Sequence, residues 1–408
     1  MMKRLLGVTL MLAWSGAHAQ SSLRLYGLID LGVQYTNNAQ TSGQPGHLHG
    51  ASQFAMTDAH ATGLTGSRWG LRGSEDLGDG MKALFVLENG FMANSGAFAQ
   101  GGAEFGRQSY VGLQAARWGT VTLGRQYDPY LEALQPLSAP GTFGGYMGSH
   151  PDDLDNLSNT NRVNNAIKFT SNRYAGLSVS GMYSLGGVAG SVGSNQVWSL
   201  GGGYTNGFVT LNAGYLNARD PNISFYGNTP NKGVATVNNI GSLGANNVAQ
   251  SNPVYAGYAS ARTLELIGGG LALNFSRATV AALITDTRFS DLGSTAAPNP
   301  HGYHGSTNFL SAELSVRSYI TSTLLLGAAF DYTRRTAVNS DGGAKYLQLD
   351  LGMIYSLSKR TDLYALTVLQ RASGVDSIGQ QAVASISGFS PSTTDKQIGA
   401  RLGIRHKF

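Results

Sequence analysis

Apolar and polar residues alternate with a period of two along most of the chain. The alternation is clear at positions 22–35, 67–74, 164–170, 308–317 and 345–356. Successive side chains of a strand point to opposite faces, so each segment predicts a strand with one apolar and one polar face. The final ten residues, GARLGIRHKF, follow the same rule, with Phe408 on the apolar face and Arg401 on the cationic face.

The connections between these strands alternate in length. Seven short turns are predicted near 76–80, 117–119, 172–175, 205–207, 276–278, 318–321 and 358–360. Eight longer polar loops are predicted near 38–63, 93–104, 127–162, 187–195, 220–260, 290–306, 336–342 and 372–395. Short turns at one rim and long loops at the other are typical of an up-and-down barrel. The pattern predicts an all-β, antiparallel barrel of about sixteen strands, closed by pairing the last strand with residues 23–35.

A membrane is the environment that fits these strands best. Backbone groups inside a bilayer must be paired internally, which only helices and closed barrels achieve. A barrel of about sixteen strands is wide enough to hold water. Charged residues are only 12% of the chain, about half the usual fraction for a soluble domain. After the N-terminal segment, no apolar run approaches the roughly twenty residues of a membrane helix.

The N-terminal segment MMKRLLGVTLMLAWSGAHAQ has the pattern of a secretory signal peptide. A cationic start is followed by a short apolar run and by small residues, which predicts cleavage after Ala19. The mature chain, 20–408, contains no internal linker and is predicted to be a single domain. It contains no cysteine, which excludes disulfides and thiolate metal sites. Its basic residues are scattered, which does not favour nucleic-acid binding.

Several motifs together resemble the general trimeric porins of Gram-negative outer membranes, such as those of Burkholderia, Comamonas and Neisseria. They are LYGLIDLG at 25–32, SRWGLRGSEDLGDGMKALFVLENGF at 67–91, RQSYVGL at 107–113, GTVTLGRQYDP at 119–129, RVNNAIKFTS at 162–171 followed by AGLSVSGMYS, and the terminal Phe408. The resemblance implies a sixteen-stranded barrel that forms a homotrimer among outer-membrane lipid and lipopolysaccharide. It also implies passive diffusion of small hydrophilic solutes and ions, and assembly aided by machinery that recognises the C-terminal strand and Phe408.

The segment 127–161 is too long for a plain hairpin loop, and long loops in compact architectures are usually functional. By resemblance it is the third loop, which folds into the barrel and narrows it. Its acids are Asp128, Glu132, Asp152, Asp153 and Asp155. Four basic residues are expected on the facing wall, namely Arg68, Arg72, Arg107 and Arg162. Resemblance to the family's arginine cluster supports Arg68, Arg107 and Arg162. Strand parity supports Arg72.

Fixed guanidinium charges attract anions, so a modest anion preference is predicted. Arg107 presents a conflict, because strict alternation puts it on the lipid-facing side with Val111. Either a bulge or a position outside the regular strand would resolve it. Local pairing of these arginines with Glu75, Asp76 or Glu88 is the competing interpretation.

No cofactor or metal site is predicted from residue spacing. The stretch PDDLDNLSNTN lacks the spacing and the closing glutamate of an EF-hand, and no histidine pair has a typical metal-site spacing. No motif orients a serine, a histidine and an acid for catalysis, so an enzyme is not predicted. The alternatives left open are a substrate-specific channel with a saturable site, a barrel enzyme, a non-channel adhesin and a soluble β-sandwich pair.

Overall fold

The structure is a computed structural model that describes residues 22–227, 234–339 and 341–408. The predicted signal peptide, 1–19, lies outside the described residues. Seventeen strand segments form one antiparallel sheet. Their bounds are β1 Ser22–Gln44, β2 His47–Asp58, β3 Arg68–Gly78, β4 Met81–Gly90, β5 Gln108–Ala115, β6 Gly119–Gln126, β7 Val163–Ser171, β8 Leu177–Ser184, β9 Val197–Asn206, β10 Val209–Arg219, β11 Thr263–Asn274, β12 Ala278–Leu292, β13 Gly305–Tyr319, β14 Leu324–Arg335, β15 Ala344–Ser356, β16 Thr361–Gly374 and β17 Lys396–Lys407.

The helices of the described residues are short and lie between strands. They are α1 Ala59–Thr62, α2 Pro129–Leu134, α3 Ala139–Thr142 and α4 Pro221–Ser224, with single 3₁₀ turns at Gln100–Gly102, Gln135–Leu137, Tyr146–Gly148, Pro151–Asp153 and Ala256–Tyr258. Within the part of the chain that the structure describes, no helix is long and apolar enough to cross a bilayer.

The sheet closes on itself through its first and last strands. From β3 onward each strand pairs with its neighbours in sequence, and β17 pairs with β1, aligning Leu28 with Lys407 and Thr36 with Gly399. This is the predicted closure. On its other side β1 pairs with β3 near its start and with β2 near its end. β2 and β3 are therefore one wall strand interrupted at 59–67, so the seventeen segments form a sixteen-stranded antiparallel barrel.

The interruption corrects one predicted loop. The polar stretch 38–63 was expected to be a loop, but β1 continues to Gln44 and β2 begins at His47. The hairpin is irregular, with register shifts between Thr36 and Ala39 and between Gln40 and Ser42. Strands that extend beyond the apolar wall need no apolar face, so polar composition alone does not distinguish them from loops. All seven predicted short turns are confirmed, and each separates two consecutive strands.

The two faces of the barrel wall have the predicted chemistry. On β13, Leu314 is 59% exposed whereas its neighbour Glu313 is 4% exposed. On β5, Val111 and Leu113 are exposed, and the exposed side of β1 carries Leu23, Leu25 and Val33. The apolar side chains therefore cover the outside of the barrel, and the polar side chains of the same strands point to its interior.

The C-terminal residue completes the closure between β1 and β17. The backbone of Phe408 exchanges two hydrogen bonds with Gly27, at 3.2 and 3.0 Å. Its ring covers the position where Gly27 would carry a side chain, because a Cβ atom there would lie 2.4 Å from the ring. Gly27 therefore provides the space in which the terminal aromatic ring packs on the outer wall.

Replacing Gly27 with valine should displace the Phe408 ring. Overpacking of a filled site costs about 1–3 kcal/mol, so we expect the Gly27→Val barrel to unfold at a lower temperature in detergent than the wild type. Circular dichroism during heating measures this. The matched control is Gly202→Val, because a Cβ atom at Gly202 makes only ordinary contacts of 3.6 Å or more. Equal unfolding temperatures for both variants would contradict the packing role of Gly27.

Candidate functional site: the long segment between β6 and β7 and the facing arginines

The segment between β6 and β7 is folded by its own caps. Asp128 is the N-cap of α2 and accepts a hydrogen bond from the Leu131 backbone N–H at 2.9 Å, with Pro129 at the first helical position. Ser138 caps α3 in the same way, accepting from the Gly141 N–H. These local signals divide the segment into short rigid pieces rather than one flexible loop.

Each piece is attached to inward-facing groups of the wall. The Tyr130 N–H donates to the Ser199 hydroxyl on β9 at 3.0 Å, and the Ala139 N–H donates to the Glu313 carboxylate on β13 at 2.8 Å. The ring of Phe143 packs on Gly327 of β14, where a Cβ atom would lie 2.3 Å from the ring. Strands that are distant in sequence thus hold the segment across the interior.

The interruption between β2 and β3 provides another attachment. Asp58 caps α1 by accepting a hydrogen bond from the His60 N–H at 2.9 Å, and the helix ends at Thr62. The carbonyl of Gly63 then accepts a hydrogen bond from the Tyr146 N–H at 2.8 Å. The inward excursion 59–67 therefore supports the middle of the segment, a contact that no sequence pattern indicated.

Arg107 lies in the interior, and the structure resolves the parity conflict. β5 begins one residue later, at Gln108, so Arg107 precedes the regular alternation. Its side chain is 3% exposed, and its Nε donates to Glu88 Oε1 at 2.7 Å. Its Nη2 donates to the Tyr127 hydroxyl at 2.8 Å. Of the two explanations offered, the position outside the strand is the correct one.

Arg68 and Arg162 join Arg107 around the same acid and ring. Arg68 Nη1 lies 3.7 Å from Glu88 Oε1. The Arg162 guanidinium lies 5.8 Å from the centre of the Tyr127 ring, and that of Arg107 lies 6.0 Å from it. Burial and the neighbouring Arg107 lower the pKa of Arg162. The three predicted arginines are thus brought together. Glu88 is the ion-pair partner of Arg68 and Arg107, and the Tyr127 ring lies beside Arg107 and Arg162.

The electrostatic potential at this cluster is positive. Burial acts to raise the pKa of Tyr146, but the neighbouring guanidinium groups, above all that of Arg107, outweigh burial and lower it. Glu88 was expected only in the competing interpretation, as one of the acids with which the arginines would pair locally, and it does pair with Arg68 and Arg107. Tyr127 and Tyr146 were not predicted as part of the site.

Arg72 is not part of this cluster. It lies four residues from Arg68 along β3, about 13 Å at the usual rise of a strand, towards the rim with short turns. Its guanidinium lies 5.2 Å from the centre of the Tyr26 ring. Another cation, Lys168, does lie beside the segment, where its Nζ contacts Glu132 at 2.8 Å and the Tyr127 carbonyl at 3.0 Å. Strand parity had placed Lys168 on the interior face.

The predicted acids mostly make contacts inside the segment or with the wall behind it. Asp153 is buried and accepts hydrogen bonds from the Ser158 N–H at 2.8 Å and the Thr160 hydroxyl at 2.6 Å. Asp152 accepts from the Ser385 hydroxyl at 2.9 Å. Asp155 is buried, 2.6 Å from His150 Nδ1. These acids fold and anchor the segment.

Burial also changes the ionisation of three of these acids. It raises the pKa of Asp128 to about 6 and those of Asp152 and Asp153 to about 7. Burial thus disfavours the charged form of these carboxyls relative to exposed aspartates. Glu132 differs from them, since 38% of its side chain is exposed and it pairs with Lys168.

A small cavity lies between the arginines and the segment. Its volume is about 160 Å³, and Arg68 and Arg107 line it on the wall side. The segment contributes backbone and polar groups, among them Tyr127, Tyr146 and Asn159. A cavity lined by fixed cations and hydroxyl or amide groups, within a polar barrel interior, is suited to hydrated anions rather than to an apolar ligand.

Comparison with known proteins identifies the family. A family model described as Gram-negative porin matches residues 7–374, which is most of the chain. The chain belongs to the Gram-negative porin family. This porin is therefore an outer-membrane protein that crosses the bilayer with its strands and forms a channel.

Similar proteins agree along nearly the whole length. The chain is 29% identical to an outer membrane porin protein of Bordetella pertussis, covering 90% of this chain and 93% of that protein. It is also 29% identical to the outer membrane porin protein 32 of Delftia acidovorans, covering 100% of both. Among solved structures, the anion-selective porin from Comamonas acidovorans has the same fold, with a TM-score of 0.68, 21% identity, and coverage of 95% of this chain and 100% of that one.

Replacing Gly327 with valine should release the segment from β14, since the new side chain would occupy the space of the Phe143 ring. Overpacking of this kind costs about 1–3 kcal/mol, which we expect to appear as faster proteolytic cleavage within 127–161 while the barrel stays folded. The control is Gly269→Val, because a Cβ atom at Gly269 makes only an ordinary 3.6 Å contact. Equal cleavage rates in the two variants would show that the Phe143 contact does not hold the segment.

Proposed function

We propose that this porin is a homotrimeric channel for passive diffusion of small hydrophilic solutes and ions, with a modest preference for anions. The segment 127–161 narrows the channel, and the opening between it and the arginines is the constriction. The observation that carries this proposal is the convergence of three arginines: Arg68 and Arg107 on Glu88, and Arg107 and Arg162 on the Tyr127 ring. The anion selectivity of the Comamonas porin, which shares the fold, is consistent with it.

The charge balance favours anions. Three arginines and one glutamate leave a net charge of +2 at the constriction (3 − 1), because guanidinium groups stay protonated. Glu132 and Lys168 neutralise each other at 2.8 Å. Arg72 adds a cation nearer the rim with short turns, where it attracts anions before they reach the constriction.

In this proposal the acids of the segment contribute less to ion selectivity than they would in a transverse electric field between acids and arginines. Glu132 is the acid whose exposure lets it act on passing ions, whereas the others are retained as charges that shape the field from behind the segment. Burial reduces their influence on the opening, because it raises the pKa values of Asp128, Asp152 and Asp153 and so lowers their negative charge. The preference therefore depends on the arginines.

The outer surface supports the remaining parts of the proposal. An apolar outer wall suits outer-membrane lipid, lipopolysaccharide and the neighbouring subunits of a trimer. Phe408 stays 46% exposed on that wall at the end of the last strand, where the assembly machinery can reach it before closure. The relatives are porins, and the proposed activity is transport rather than catalysis.

Reversal potentials in a salt gradient across planar bilayers test the anion preference. The wild type should give an anion-biased reversal potential with conductance steps in threes. A unit positive charge about 6 Å from an ion in water favours an anion and disfavours a cation by about 0.7 kcal/mol each. We therefore expect Arg68→Gln and Arg162→Gln each to lower the anion-to-cation permeability ratio by up to about tenfold.

The matched control is Arg277→Gln, which removes the same charge from the exposed turn between β11 and β12. Its permeability ratio should equal that of the wild type. A cation-biased wild type, or equal effects of all three variants, would overturn the assignment of selectivity to the arginines. A current that saturates and is blocked by one solute would favour a substrate-specific channel instead.

A further inference from the structure

A buried cluster of titratable side chains lies behind the segment, away from the arginines. His150 of the segment contacts the wall there. Its Nε2 lies 3.4 Å from Asp331 Oδ1 on β14 and 3.8 Å from Glu313 Oε2 on β13. The side chains of all three are 1% exposed. One ligand atom of each lies within 4.8 Å of the others.

The acids on the wall side of this cluster carry more negative charge than the positive side chains around them neutralise. Glu313 and Asp331 stand directly opposite each other on adjacent strands, an arrangement in which like charges destabilise a sheet. Asp350 on β15 adds a third buried carboxyl beside them. Within residues 22–227, 234–339 and 341–408, no lysine or arginine forms an ion pair with any of the three. Buried charges are rarely left without such compensation.

The cluster also leaves several buried atoms without a hydrogen bond to any described residue. They are His150 Nε2, Glu313 Oε2, both carboxylate oxygens of Asp331, and Asp350 Oδ2. Buried polar atoms in native proteins nearly always have a partner. These nitrogen and oxygen atoms come from three strands and one loop, and they face one another. Such an arrangement is typical of a cation site.

Hydrogen bonds to the other polar atom of a side chain orient it as a metal ligand requires. Asp155 accepts hydrogen bonds from His150 Nδ1 at 2.6 Å and from the Thr285 hydroxyl at 2.7 Å. The other ring nitrogen of the histidine, Nε2, therefore points towards the acids. A carboxylate behind a histidine is the usual support of a metal-bound imidazole.

The acids are oriented in the same manner. Glu313 uses its other oxygen to accept the Ala139 N–H at 2.8 Å. Asp350 uses Oδ1 to accept from Gln348 at 3.0 Å, and Gln348 also donates to the Ser149 carbonyl at 2.9 Å. In Glu313 and Asp350, one oxygen is fixed by the fold and the other has no hydrogen-bond partner among the described residues, whereas neither oxygen of Asp331 has one.

We propose that this cluster binds one divalent first-row transition-metal ion, with His150 Nε2, Glu313 and Asp331 as ligands and Asp350 beside them. Zinc bonds of about 2.1 Å place tetrahedral ligands about 3.4 Å apart, which matches the separations of 3.4 and 3.8 Å. Imidazole with carboxylates suits Zn²⁺ or Mn²⁺, whereas Ca²⁺ and Mg²⁺ prefer oxygen ligands alone. The ion offsets the acidic wall and cross-links the segment to β13 and β14.

Residue spacing could not have shown this site. His150 lies more than 160 positions before Glu313, and the two meet only because the segment crosses the barrel interior. The expectation of no metal site rested on sequence spacing alone, and it did not consider these residues together.

Metal binding is tested on the full chain refolded in detergent, because a buried site is loaded most readily during folding. Refolding with Zn²⁺, followed by dialysis against metal-free buffer, should leave one Zn²⁺ per chain by elemental analysis. His150→Gln and Asp331→Asn should retain none. Asp155→Asn should weaken Zn²⁺ affinity about 10- to 100-fold, as changes behind a ligand usually do.

Two controls replace an exposed histidine and an exposed acid, His304→Gln and Glu75→Gln, and both should retain one Zn²⁺. X-ray absorption at the zinc edge should show a shell of nitrogen and oxygen at about 2.0–2.2 Å that includes one imidazole. This measurement needs only the wild type, so it tests the site even if a variant fails to fold.

Two results would overturn the proposal. A wild type that retains no stoichiometric metal would show that protons alone neutralise the acids. Zinc retained by both ligand variants, or a shell without imidazole, would place the ion elsewhere. Neither result would bear on the anion preference, since the arginines lie on the other side of the segment.

Discussion

The obligation to pair every backbone polar group inside a bilayer is the constraint on which this structure depends. Closure of β17 on β1 meets it, since no strand is left with an open edge in the apolar zone. Once the sheet is closed, alternation assigns each strand an outer and an inner face. The outer face must be apolar, so arginines, acids and amides collect in the interior, where the channel and its chemistry lie.

The interior is then subdivided by tertiary contacts rather than by further strands. Phe143 packs on Gly327, the Ala139 N–H binds Glu313, and the excursion 59–67 supports Tyr146. These attachments come from different parts of the wall, so they fix the segment 127–161 in more than one direction. The same segment lines the cavity beside Arg68 and Arg107.

The two faces of that segment differ in charge. Arginines that share one glutamate surround the open side, whereas Asp155, Glu313, Asp331 and Asp350 lie buried behind it. A transverse electric field between exposed arginines and exposed acids therefore describes this channel poorly, because most of the acids are buried away from the opening. The acidic side instead holds the segment to the wall, and the cationic side lines the cavity.

The sequence by itself determined the barrel, its closure, the outer and inner faces and all seven short turns, because a period of two needs only neighbouring residues. It also named Arg68, Arg107 and Arg162, although it could not orient Arg107, which lies just outside the regular strand. Only the tertiary structure decided that polar residues 38–58 form strands, that the excursion 59–67 supports the segment, and that His150 meets Glu313 and Asp331. These contacts join residues far apart in the chain, and no local pattern records which parts of a barrel interior will meet.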